Sequence, residues 1–138
     1  MVDEQYFAGF CHQILNEHPS IRFVGLADRM GHLITTVYRK GLGPLMDSKD
    51  TEKYTFQTII RASMREVFED KIGKLRYAVG IYEKLIRATI PIAYNNNGSG
   101  RNRNKFYLLI SFDLDSDYGL IVERKILPIV KEQKEYFM

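Results

Sequence analysis

HQILNEHPSIRFVGLADRMGHLI, His12 to Ile34, holds in one stretch a helix end, a strand, a turn and the start of a returning strand. Ile14 and Leu15 complete a stripe that begins at Phe7, Phe10 and Cys11. The spacing i, i+3, i+4, i+7, i+8 predicts a helix over Asp3 to His18 with Glu4, His12, Gln13 and Asn16 on its polar side. Pro19 brings no backbone donor and biases His18 away from helical geometry, so the helix ends there. Ile21 to Ala27 is apolar on both alternating sets, the pattern of a strand covered on both faces. Asp28-Arg29-Met30-Gly31 supplies a turn, because Asp bonds its own downstream backbone and Gly tolerates positive φ. His32 to Arg39 returns as a strand rich in β-branched residues (Ile34, Thr35, Thr36, Val37), and its threonines suit a wetter position at a sheet margin.

Outward from this unit, Lys40 to Lys49, with Gly41, Gly43 and Pro44, reads as a loop. A second helix is expected from Asp47, Ser48 or Asp50, with Phe56, Ile59, Ile60, Met64, Val67 and Phe68 as its apolar side and Gly73 as its stop. Leu75 to Tyr82 and Ile86 to Ala93 read as strands joined by a hairpin. Tyr94 to Lys105 reads as a polar loop. Phe106 to Phe112 is the most continuously apolar run and the natural central strand. A last helix runs from Asp115 to Asp117, which can cap it, through Glu132, with Pro128 kinking it or ending it and starting a short extension. The order α-β-β-α-β-β-β-α fits one α+β domain over residues 1–138. Its five antiparallel strands, in order 2-1-5-4-3, lie between helices without crossing connections.

Composition narrows the function classes. With 45% hydrophobic and 27% charged residues the chain is neither disordered nor fibrous, and a net charge of +3 is too small to argue nucleic acid by itself. A single cysteine forms no internal bridge. The acidic N-terminus lacks the form of a signal peptide, and no apolar run is long enough to span a membrane; a cytoplasmic protein is expected.

The chemistry-bearing residues are sparse. Asp113-x-Asp115-x-Asp117 has the start of a calcium loop, but Tyr118 and Arg124 stand where Gly and a bidentate Glu are required, so a helix cap is the better reading. His12, His18 and His32 match no metal spacing, and Cys11 lies on an apolar stripe as a small hydrophobe. There is no nucleophile elbow and no Walker loop; Lys40-Gly41-Leu42-Gly43-Pro44 is a turn. Neither a catalytic residue nor a cofactor or metal set is expected. Arg101, Arg103 and Lys105 form the densest basic cluster, a solvated loop by preference and an anion-binding loop as the alternative. The nine tyrosines, among them Tyr54, Tyr77, Tyr82 and Tyr94, fit an interface and ordinary strand composition equally.

The element order, the quoted stretch and YGLIVERKILPIV (Tyr118 to Val130) resemble the Roadblock/dynein-light-chain family of the profilin-like group, and a small group of archaeal proteins of this length. That resemblance implies dimerisation, the middle helix packing on its counterpart and strand three pairing across a two-fold. It also implies a non-catalytic role as platform or regulator for small GTPases and motor complexes, and a regulator of a small GTPase or signalling complex is the function expected here. Independently, the open margin of an apolar strand three invites pairing with a second copy. The expected interface comprises Thr55, Thr58, Ala62 and Arg65 of the middle helix with Leu75, Tyr77, Val79 and Ile81 of the strand. Arg61 and Arg65 would meet Glu66 and Glu69 of the partner. The runner-up is a sensor of the PAS or profilin-like kind, with a small molecule between sheet and helix under a lid formed by the two long loops. Nucleic-acid binding through Arg101 to Lys105 ranks third.

Overall fold

The computed structural model describes residues 4–95 and 102–133. Helix α1 (Glu4–Leu15) buries Phe7, Phe10, Cys11 and Ile14, the stripe predicted for it, and ends three residues before the expected stop at His18. Strands β1 (Ile21–Asp28) and β2 (Leu33–Tyr38) follow. The turn between them is built by Asp28, whose Oδ1 accepts from the N–H groups of Met30 (2.9 Å) and His32 (3.0 Å). Gly31 adopts φ +88° there, and a Cβ at that position would sit 3.0–3.2 Å from Phe56, so both backbone and space require glycine.

Helix α2 (Ser48–Arg65) is capped by Asp47, whose side chain accepts from the Asp50 N–H at 2.7 Å. It runs on through a 3-10 turn (Glu66–Phe68) into the short α3 (Glu69–Ile72), which stops at Gly73 with φ +87°. Strands β3 (Ala78–Ile81), β4 (Ile86–Asn95) and β5 (Asn102–Phe112) complete one antiparallel sheet in the order β2-β1-β5-β4-β3. The chain closes with α4 (Tyr118–Ile121), a π turn (Val122–Ile126) and α5 (Leu127–Glu132). In the π turn Leu127 donates to the carbonyl of Val122, five residues back. That wider turn accommodates Pro128, which has no N–H to give, and the helix goes on as the short α5, where a kink or an end with a short extension is expected from the sequence.

Alternation along β5 divides the core. Phe106, Leu108, Ile110 and Phe112 join α1 and the C-terminal helix in the larger cluster on one face. Tyr107 and Leu109 join Phe23, Ala27, Ile59 and Ala62 under α2 on the other. The central position expected for this strand, and its cover on both faces, are therefore observed.

Three expectations are corrected. Strand three is short, Ala78–Ile81 rather than Leu75 to Tyr82. Much of the polar segment Tyr94 to Lys105 is not loop: β4 runs to Asn95 and β5 begins at Asn102, pairing Tyr94 with Arg103 and Ala93 with Asn104. Backbone pairing along a hairpin tolerates polar side chains, which composition alone reads as loop. Asp117 holds the cap position of the last helix through its carbonyl, which accepts from Ile121, and makes no side-chain cap bond.

Candidate functional site

The sheet ends on one side at β3, whose ladder runs only to β4. Its outer backbone groups therefore face away from the sheet. Tyr77 and Val79 lean onto the larger core, Leu75 is half-buried before the strand begins, and Ile81 is exposed.

Beside this margin lies α2, turned on its axis relative to the hydrophobic pattern. Thr55, Thr58, Ile59 and Ala62 face the sheet and are buried. Ile60, next to Ile59, is 43% exposed against 2%, and Phe56, Met64, Val67, Phe68 and Ile72 are exposed as well. The inner face is small because Phe23, Tyr107 and Leu109 already fill the space above the sheet. Its threonines bury without cost in unsatisfied hydroxyls, since Thr55 and Thr58 donate to the carbonyls of Thr51 (2.8 Å) and Tyr54 (2.9 Å). The apolar ridge that periodicity assigns to the core thus points to solvent, and nothing from Glu66 to Ile72 is buried. A contiguous apolar ridge of this kind marks a surface for association. Of the helix residues expected at an interface, Thr55, Thr58 and Ala62 are turned into the chain's own core and only Arg65 is exposed.

The far end of α2 is tied down. Glu66 accepts from both terminal nitrogens of Arg29 (3.3 and 3.1 Å) and from the Tyr107 hydroxyl at 2.9 Å. Burial, and then the bond to Glu66, push the Tyr107 hydroxyl up to about 12. Glu66 is consequently occupied within the chain rather than left for an arginine of a second copy. On its β3 side α2 borders a groove of about 110 Å³ lined by Arg61, Arg65 and Arg87 with Tyr54 and Tyr82.

The remaining candidates fall into structural roles. Cys11 is fully buried, and burial pushes its thiol up to about 12. His18 Nδ1 lies 2.8 Å from Ser20 Oγ, His32 Nδ1 lies 3.3 Å from Asp28, and His12 is exposed on α1. Asp113 is ion-paired with Arg39 (2.7 Å) and Arg22 (3.0 Å). The Arg39 hydrogen bond, with help from Arg22, holds its carboxyl below the usual range. Among the described residues no group of His, Cys, Asp and Glu is placed to hold a metal. Arg103 and Lys105 belong to the backbone of β5, and Arg101 lies outside the described residues.

Beneath the inner face of α2, over Phe23, Leu109 and Ser111, two cavities of about 30 and 10 Å³ have room for water rather than for a sensor's ligand. A larger open groove, about 520 Å³, lies elsewhere, between β2, Pro44, Met46 and the start of α2. The loop after β2 follows the Phe23–Tyr38 pair, at the opposite end of the sheet from the paired strand ends Asn95 and Asn102; residues 96–101 of the second expected lid loop lie outside the described residues. No helix is long and apolar enough to cross a membrane among the described residues.

A five-stranded antiparallel sheet in this order, flanked by helices, is the fold of the Roadblock/LC7 domains. The chain is similar to the Roadblock/LC7 domain from Streptomyces avermitilis, with 13% identity and a TM-score of 0.64 over 95% of this chain and 97% of that one. It is also similar to Myxococcus xanthus MglB (18% identity, TM-score 0.70, 98% and 90% covered). A structure described as MglB with tetrameric arrangement aligns at 12% identity and a TM-score of 0.73, covering 96% and 88%. The resemblance read from the sequence holds at the level of the fold. No family model matches the sequence, and no curated protein matches it.

Proposed function

We propose that this chain is a non-catalytic, homodimeric interaction module, a platform or regulator for a protein partner of the small-GTPase or signalling class. One observation carries the reading: β3 leaves its outer edge unpaired, and α2, which borders β3 across a groove, presents an apolar ridge to solvent. Pairing of β3 with its counterpart across a two-fold joins two sheets into one of ten strands and brings both α2 helices to the same side. The helix contribution comes from the ridge (Ile60, Met64, Phe68) and not from Thr55, Thr58 and Ala62, which are spent inside the monomer. Val79 and Ile81 of β3, with Tyr77 just before it, set the seam. The multi-chain arrangement of an MglB structure supports a surface of this fold that associates.

Light scattering coupled to size exclusion tests it. Wild type elutes at dimer mass, and Val79→Pro shifts it towards monomer by breaking the β3 backbone. Because Val79 also touches the core, Ile81→Lys is the cleaner variant: its side chain is 66% exposed, so the fold survives while a charge is set on the seam. A wild type that stays monomeric at high concentration refutes the reading.

A further inference from the structure

The groove between α2 and β3 carries a charge arrangement the platform reading does not use. Arg61, Arg65 and Arg87 line it together with Tyr54, Tyr82, Thr58 and the β3 backbone, and no acid is among its lining residues. Each of the ion pairs formed by described residues involves other cations: Arg22, Arg29, His32, Arg39 and Arg76. Three guanidinium groups facing one cavity repel one another, and a folded chain tolerates that best when an anion sits between them.

The groove is also organised. Arg87 lies over the Tyr54 ring, 4.3 Å from its centroid, which holds the plane of the guanidinium. Arg61 lies 6.0 Å from the same ring and donates to Thr58 Oγ1 at 3.2 Å, leaving its other donors for the groove. The Tyr54 and Tyr82 hydroxyls are 2.9 Å apart, so one donates to the other and a single O–H remains to serve a third acceptor. Burial foremost, then the bond to Tyr82, raises the Tyr54 pKa, so the pair keeps both its protons. A cavity of about 110 Å³ holds roughly four waters' worth of volume, the scale of one tetrahedral oxyanion.

We propose that this groove is a binding site for the phosphoryl group of a small soluble molecule. Arg87 is its fixed fork, Arg61 and Arg65 its closing cations, and the tyrosine pair its hydroxyl donor. Planar guanidinium forks match phosphate oxygens in pairs, which point charges on lysine would not. Its cations and hydroxyls all come from one chain, and its β3 wall (Ala78, Val79, Gly80) is shared with the proposed seam, so binding is read as stoichiometry per chain and dimerisation separately as mass.

Isothermal titration with pyrophosphate and with orthophosphate, each at constant ionic strength made up with sodium chloride, tests the proposal. Wild type is expected to bind pyrophosphate saturably at one site per chain, orthophosphate more weakly, and chloride without saturation. Arg87→Gln and Arg65→Gln are each expected to weaken pyrophosphate binding by about tenfold, the loss of one charge-assisted contact. Arg65 is exposed, so its variant keeps the fold even if loss of the Arg87 stack loosens the groove. Absence of saturable binding by wild type overturns the proposal, as does Arg65→Gln binding with wild-type affinity.

Discussion

Ile59 and Ile60 are neighbours in sequence with opposite environments, and truncating each to alanine tests the rotation of α2 on which the proposed interface depends. Ile59 is 2% exposed and packs with Phe23, Ala62, Tyr107 and Leu109. Removing its outer carbons leaves a cavity under the helix and costs about 2–4 kcal/mol of monomer stability. Ile60 is 43% exposed, so about half of its apolar area is already in water, and the lost burial is about 1 kcal/mol. Alanine's better helix propensity returns a few tenths of that. The monomer difference between the two variants is therefore about 2 kcal/mol. Urea unfolding at low protein concentration measures it as a shift in midpoint at unchanged slope. The size-exclusion profile adds the converse: Ile60→Ala weakens the dimer, and Ile59→Ala at a temperature where it is folded does not. Equal destabilisation by the two substitutions, or a larger loss from Ile60, would refute the inward face assigned to Thr55, Thr58 and Ala62.

Tyr107→Phe removes one of the bonds on Glu66 and lowers stability by about 1–2 kcal/mol, read as a melting temperature lower by several degrees; an unchanged melting point means the Arg29–Glu66–Tyr107 tie contributes nothing. Asp113 has its carboxyl depressed by Arg39 and Arg22. Its stabilising contribution is present above the unfolded carboxylate value of about 4 and is lost as pH falls through the lower folded value. Asp113→Asn is thus less stable than wild type at pH 7, with the gap closing towards pH 2; a gap that widens on acidification contradicts the ion pairs. Cys11, raised to about 12 by burial, stays unlabelled by a disulfide reagent at pH 8 in the native protein and reacts on unfolding. Rapid native labelling would show that α1 does not bury it.

Strand order was legible because the strands differ in how many faces they cover. Phe106 to Phe112 and Ile21 to Ala27 are apolar on both sides, and the threonines of β2 mark a margin. The Asp28 turn was legible because its chemistry is local. The orientation of α2 was not, since periodicity reports which residues share a side and not what that side touches. Phe56, Ile60 and Met64 share one with genuine helical spacing, yet bulky side chains of distant strands had taken the volume beneath the helix. The basic groove was equally hidden. Arg61 and Arg65 come from α2 and Arg87 from β4, and only the fold brings them to one cavity.

Strand β3 has only four residues. An antiparallel seam of that length supplies on the order of four backbone hydrogen bonds, each contributing about 1 kcal/mol. In the dimer proposed above, such a seam would work as a ruler, setting the angle at which two copies meet, while the adhesive strength would come from the oily crest of the neighbouring helix. Substitutions on that crest would then tune how tightly copies hold each other without changing their angle.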